Sequence, residues 1–242
     1  VVAEGPPAGG GEVCTIRTHD GQGGIAAQVV GFRRGLTLLM PLGQTAGVEP
    51  GCEVVARGTP LTVQTGDGAL GRVLDAFGQP IDGLGGLGPT VLRPVEALPP
   101  PPLTRQRVLE PMFFGVRVLD GLLTCGRGQR LGIFSGAGAG KSTLLGMMAR
   151  HNQADVTVVA LIGERGREVR DFLESKLRED RSKAVVVVAT SDEPALVRIS
   201  AGLTAPAIAE YFREQGLDVL LLMDSLTRLA RAQREVGLAS GE

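Results

Sequence analysis

Eight residues constrain the fold of this chain more than any others: Ser135-Gly136-Ala137-Gly138-Ala139-Gly140-Lys141-Ser142. A short apolar run, Leu131-Gly132-Ile133-Phe134, leads into them, and Thr143 continues into a stretch with helical spacing that reaches Arg150. A strand, a glycine loop and a helix in that order form a phosphate-binding (Walker A) loop, which commits the surrounding chain to an α/β unit. Glycines let main-chain N–H groups turn inward onto phosphate oxygens. The helix behind them offers unpaired N–H groups and the positive end of its dipole. Gly136, Ala137, Gly138, Ala139, Gly140 and Thr143 are expected to cradle the phosphates. Lys141 is expected to reach the β- and γ-phosphates, and the Ser142 hydroxyl to ligate magnesium. The strict pattern has Gly where this chain has Ser135. Only three lysines occur in the chain, and one falls here, which disfavours a chance lysine in a glycine-rich turn.

Composition narrows the rest. The chain has 242 residues, enough for one large domain or two ordinary ones. A net charge of −1 implies no field for binding polyanions. With no Trp and one Tyr, stacking platforms for single-stranded nucleic acid are not expected. Cys14, Cys52 and Cys125 are widely spaced and lack metal-site spacing. They read as small buried thiols in a reducing cytosol. No apolar run approaches the roughly 20 residues of a membrane span, and no signal peptide is visible. The chain begins at Val1 rather than Met and stops directly after a helix-like stretch, so a fragment of a longer protein is expected.

Two patterns divide the sequence. Twenty-one of the 36 glycines lie in the first 88 residues, where there is no lysine. That part reads as short strands cut by turns, at 13–18, 25–30, 36–40, 52–56 and 61–63, and suggests a small β-barrel or sandwich over residues 1–70. A connector over 71–104 follows, turn-rich at Gly83-Leu84-Gly85-Gly86 and stiff at Pro99-Pro100-Pro101-Pro102. From 105 to 242 near-continuous apolar runs at 131–134, 156–162, 184–189 and 219–223 alternate with helical stretches at 141–151, 167–178, 194–215 and 225–236. Such runs suit strands buried on both faces of a parallel sheet with helices on both sides. Ala205-Pro206 predicts a kink or break in the third helix.

Ligands of such sheets bind at the carboxyl ends of strands. The run at 156–162 ends in Gly163-Glu164-Arg165, and the run at 219–223 ends in Asp224-Ser225. Asp224 fits a magnesium-organising acid and is also placed to cap the following helix. Hydrolysis needs a group that holds water in line with the γ-phosphate, and Glu164 is placed for it, with Arg165 able to contact γ-phosphate oxygens. The same residues also suit a solvated charged cluster at a helix start. Thr190-Ser191-Asp192 reads as helix capping before Pro194.

The stretches Leu119-Asp120-Gly121-Leu122-Leu123-Thr124, Ile162-Gly163-Glu164-Arg165-Gly166-Arg167-Glu168, Ala209-Glu210-Tyr211-Phe212-Arg213 and Met223-Asp224-Ser225-Leu226-Thr227-Arg228 are, in this order, similar to the ATPases of bacterial type III secretion and flagellar export. Those ATPases resemble the catalytic subunit of rotary ATP synthases. The resemblance is strong from about residue 65 onward and includes Gly71-Arg72-Val73-Leu74-Asp75-Ala76-Phe77-Gly78. It implies a RecA-like P-loop domain behind an N-terminal β-barrel whose first strand is missing here. It also implies a cytoplasmic ATPase that binds ATP and Mg2+, forms a homo-hexamer and hydrolyses ATP at subunit interfaces. Chaperone–substrate complexes, stalk and stator proteins and peripheral association with the inner-membrane export gate are the implied partners, and no nucleic acid is expected. It maps the water-activating glutamate onto Glu164, a phosphate-contacting arginine onto Arg165 and the magnesium-organising aspartate onto Asp224. The arginine finger and adenine contacts are expected beyond Glu242, so this span alone is expected to turn over ATP weakly or not at all. A Rho-type nucleic-acid motor and a non-catalytic nucleotide-binding subunit of a rotary complex are the alternatives. The first would want a basic or aromatic barrel, and the second would lack Glu164.

Overall fold

The structure is a computed structural model and describes residues 1–18, 24–136, 138–177 and 181–241. Its N-terminal part is a five-stranded antiparallel sheet built from β1 (Val2–Ala3), β2 (Glu12–Arg17), β3 (Gly24–Arg33), β4 (Leu36–Pro41) and β5 (Val54–Pro60). The strand order is β1-β4-β3-β2-β5. Alternation drives it: Cys14 and Ile16 on β2, Ala27 and Val29 on β3 and Leu39 on β4 turn inward into one small core. Cys14 and Cys125 are buried free thiols as expected, and Cys52 is half-buried.

The segment between the two patterns contains more structure than its glycine and proline content suggests. β6 (Thr62–Thr65) pairs antiparallel with β8 (Val91–Pro94), while β7 (Val73–Leu74), between them in sequence, joins the C-terminal sheet. Arg72 pins the loop that follows β7. Its guanidinium donates to both Asp82 carboxylate oxygens and to the Gly85 and Gly86 carbonyls. That arrangement holds the Asp82 carboxyl well below the usual carboxylate range.

Next come β9 (Pro111–Met112), α1 (Arg117–Leu122) and β10 (Cys125–Gly126), then α2 (Lys141–His151), β11 (Val156–Glu164), α3 (Gly166–Asp171), β12 (Ala184–Thr190), α4 (Ala195–Glu214), β13 (Val219–Asp224) and α5 (Leu226–Ser240). The sheet is parallel, in the order β13-β11-β12-β7. Val158, Ala160 and Ile162 of β11 face α4 with Val185 and Val187 of β12, packing on Ala201, Ala205, Ile208 and Phe212. Val159, Leu161, Val186 and Val188 face the other way, onto Leu145 and Met148 of α2. Both faces are covered, which is why these strands read as unbroken apolar runs. A third core joins Val13 and Leu42 of the N-terminal sheet to Leu196 and Ile199 of α4 and Ala232 and Val236 of α5.

Two expectations about this half are corrected. The run Leu131-Gly132-Ile133-Phe134 forms no strand, and Leu131 and Phe134 are exposed at 42% and 95%. Among the described residues nothing pairs with the outer edge of β13, and the segment 131–134 makes no ladder with the sheet. Nor does Pro206 break α4, which continues as helix on both sides of it over 20 residues. Proline inside a helix costs about 3 kcal/mol. Thirteen residues of α4 are buried, and each large apolar side chain among them contributes about 1.5–3 kcal/mol, so burial wins.

Candidate active site

Three elements bring their ends to one place. Gly140, with φ of 89°, reverses the chain so that Lys141 and Ser142 form the first turn of α2. The loop before it stays open to solvent: Gly136, Gly138, Ala139, Gly140 and Thr143 are exposed, and an added Cβ at Gly136, Gly138 or Gly140 would meet nothing within 4 Å. That clearance is what main-chain N–H groups need to approach a ligand. Ala137 lies outside the described residues.

At the end of β13, Asp224 is buried, at 3% exposure, and the Lys141 ammonium is its ion-pair partner. The peptide bond joining Asp224 to Ser225 is cis. β11 ends in an irregularity: its register against β12 shifts between Ile162 and Glu164, with Gly163 at φ of 69°. A bulge re-aims the side chain that follows it. Here that side chain is Glu164, which lines a cavity of about 330 Å³ together with Ser142, Leu161, Arg167, Glu168 and Asp224.

Arg228, in the first turn of α5, closes this corner. One guanidinium nitrogen lies 3.2 Å from Glu164 Oε2, and another donates to the Gly163 carbonyl. The Glu164 carboxyl is nevertheless pushed up to about 7. Burial is the main cause, a hydrogen bond shared with Glu168 the second and the nearby Asp224 charge the third, with Arg228 opposing. Glu168 moves the other way, lowered chiefly by the hydrogen bond with Glu164. A carboxyl poised near neutrality can take up and release a proton under ordinary conditions.

Lys141, Ser142, Glu164 and Asp224 are thus brought together. Arg165 is not: its side chain is 63% exposed, it does not line the cavity, and its nearest carboxylate is Glu168 at 3.8 Å. Two residues that share the corner went unassigned in the sequence reading. Arg228 lies four residues past Asp224, one turn into a helix that starts beside the strand end. Glu168 lies in the first turn of α3, the helix that begins two residues after Glu164 ends β11.

The nucleotide-binding domain of the ATP synthase alpha/beta family matches residues 115–242, and that family's beta-barrel domain matches residues 1–58. The chain belongs to the ATP synthase alpha/beta family. Within it, the chain is 52% identical over 247 residues to the flagellum-specific ATP synthase of Bacillus subtilis (strain 168), covering 100% of this chain and 56% of that protein. It is 53% identical over 233 residues to the type 3 secretion system ATPase of Xanthomonas euvesicatoria, covering 96% and 53% respectively. The assembled ATPase EscN from the enteropathogenic E. coli type III secretion system superposes with a TM-score of 0.91 at 46% identity, covering 100% of this chain and 58% of that one. The chain spans about half the length of the curated relatives it matches. The family resemblance drawn from the motifs, and the parallel α/β sheet behind an N-terminal β-barrel domain, are borne out.

Proposed function

We propose that this chain is the nucleotide-binding half of an ATP hydrolase that energises type III protein export, by chaperone release and by unfolding or feeding substrates. The observation that carries the proposal is that Ser142, Glu164 and Asp224, from three separate elements, line one cavity, with Lys141 paired to Asp224. Relatives from flagellar and from type 3 secretion systems match it about equally, at 52% and 53% identity, so the proposal rests on the export function they share.

The residues fit an ATP–Mg2+ ligand. Ser142 and Asp224 put a hydroxyl and a carboxylate, both hard oxygen donors, on the wall of one cavity beside an open glycine loop and a helix N-terminus. Bound there by Ser142 and Asp224, magnesium would neutralise charge on the phosphates. In this reading Lys141 exchanges its Asp224 partner for phosphate oxygens, and the loop residues Gly136 to Thr143 donate main-chain N–H groups. Glu164, turned inward by the Gly163 bulge, orients a water and accepts its proton. Arg165 is proposed to reach phosphate only by swinging in from its exposed position. The full-length protein works in this proposal as a homo-hexamer at the cytoplasmic face of the membrane. EscN, solved in complex with its central stalk EscO, matches this chain at a TM-score of 0.89 and 47% identity, which supports a stalk partner. No helix among the described residues is long and apolar enough to cross a membrane.

Glu164→Gln in the full-length protein tests the assignment. Hydrolysis should fall by about 10²–10⁴, the usual contribution of a positioned acid–base group, while ATP binding is kept. Near-normal turnover would overturn the role given to Glu164.

A further inference from the structure

Arg228 meets Glu164 from outside the cavity. The cavity wall includes Glu164, Arg167 and Lys176 but not Arg228, so this guanidinium touches the glutamate without bordering the space a nucleotide would fill. Its Nη2 lies 3.2 Å from Glu164 Oε2, and its Nη1 donates to the Gly163 carbonyl. Gly163 sits at the register shift and, among the described residues, has no partner in the ladders of β11 with β12 or β13. The stem of Arg228 crosses this glycine closely: a Cβ added at 163 would lie 3.0 Å from Arg228 Cδ and 3.2 Å from its Cβ. A glycine here thus serves both the bulge and the passage of Arg228. Nothing in α5 itself favours a cation at this position. Arg228 is in the first turn, where the positive end of the helix dipole disfavours it. A local rule is broken here, and functional sites are where such breaks gather.

We propose that Arg228 is a positioning residue for Glu164, fixing the angle of its carboxyl group by tying Oε2 to the main chain at Gly163. The inference rests on the reading of Glu164 as the group that orients the attacking water. The last torsion of a glutamate side chain joins sp³ and sp² carbons and has broad minima, so burial of the stem does not by itself fix the carboxyl plane. The water has to be aimed in line with the γ-phosphate, and a misplacement of about 1 Å costs about 10²-fold in rate. The guanidinium removes this freedom. It is planar, its donors form a rigid fork, and one of them is held by a backbone carbonyl. A lysine at this position would keep the charge but has no fork, so it would fix the angle less well.

The test measures kcat, KM and ATP affinity of the full-length protein for wild type, Arg228→Gln, Arg228→Lys, Glu164→Gln and the double variant Arg228→Gln/Glu164→Gln, with a thermal melt of each. Arg228→Gln should lower kcat by about 10- to 100-fold, less than the roughly 10²–10⁴ expected on losing the Glu164 carboxyl itself, with KM and ATP affinity unchanged. Arg228→Lys should recover part of that rate. On the residual turnover left by Glu164→Gln, Arg228→Gln should cost nothing further, because the group it positions is gone. A role in stability alone would act equally on both backgrounds, and a direct contact with the nucleotide would weaken ATP affinity on both. Wild-type kcat in Arg228→Gln, full recovery by Arg228→Lys, a matching loss of ATP affinity, or a further loss on the Glu164→Gln background each overturns the proposal. If Arg228→Gln does not fold, Arg228→Lys carries the test through the same split between kcat and ATP affinity. If Glu164→Gln is inactive while Arg228→Gln behaves as wild type, only the positioning role falls. If Glu164→Gln still turns over normally, the reading of Glu164 and the role of Arg228 fall together.

Discussion

Replacing Lys141 with Ala should destabilise the fold itself, measured without nucleotide or magnesium. Asp224 is 3% exposed, and its ion-pair partner is Lys141, whose side chain is 29% exposed. Stranding one member of a fully buried pair costs about 3–5 kcal/mol, whereas an exposed pair is worth about 0.2–1 kcal/mol. One buried and one partly exposed partner place Lys141→Ala between these, at about 1–3 kcal/mol. At roughly 2–4 °C per kcal/mol for a chain of this size, Tm should fall by several degrees. Asp224→Asn should cost less, because the ammonium left behind can turn to water. The double variant should sit well above the sum of the singles, because neither charge is then left unpaired. Thermal melts of the four proteins give the coupling directly. Losses that add to within about 0.5 kcal/mol would show that the two charges do not interact, and would refute the argument.

Two further perturbations test other links in the chain from sequence to site. Phe212→Ala removes a ring exposed at only 1%, packed edge-on to Tyr211 with centroids 5.1 Å apart and set against the parallel sheet. Chemical denaturation should show a loss of about 3–5 kcal/mol, and a loss under about 1 kcal/mol would contradict the packing described for α4. Gly163→Ala places a Cβ at φ of 69° and 3.0 Å from Arg228 Cδ. The left-handed backbone costs about 1–2 kcal/mol, and the displaced guanidinium should release Glu164. Turnover of the full-length protein should fall more than ATP affinity does; unchanged turnover would show that the bulge does not aim Glu164.

How far the sequence discloses this structure depends on where each element's partners lie. The runs at 156–162 and 184–189 were legible because two covered faces demand unbroken apolar residues, and the helix of the phosphate loop because Gly140 and Lys141 punctuate its start. The run at 131–134 looks the same by composition, but a strand also needs a neighbour, and periodicity carries no information about pairing. Pro206 misled for the opposite reason: local propensity disfavours a helix there, and the burial that overrides it is tertiary. Val73 and Leu74 escaped notice because a two-residue strand has no period to detect. At the site, Lys141, Ser142, Glu164 and Asp224 stood out through their position at loop and strand ends. Arg228 and Glu168 looked like ordinary surface charges on helices, since only the crossing of α5 and α3 over the end of β11 brings them to Glu164.

The charge pairing at this corner explains why binding and chemistry should separate under mutation. Glu164 and Asp224 line one cavity, and each has a cation of its own: Lys141 for Asp224, Arg228 for Glu164. In the proposed function, phosphate takes over Lys141 while magnesium takes over Asp224, so each charge trades one partner of opposite sign for another. Binding then buries little unpaired charge, and it depends on the Lys141–Asp224 side of the cavity. Arg228 is anchored to the end of β11 through the Gly163 carbonyl and has no reason to join that exchange. Glu164 consequently keeps its Arg228 partner while Lys141 and Asp224 change theirs. A substitution at Lys141 should therefore weaken stability and nucleotide binding together, whereas one at Glu164 should change the rate and leave binding intact.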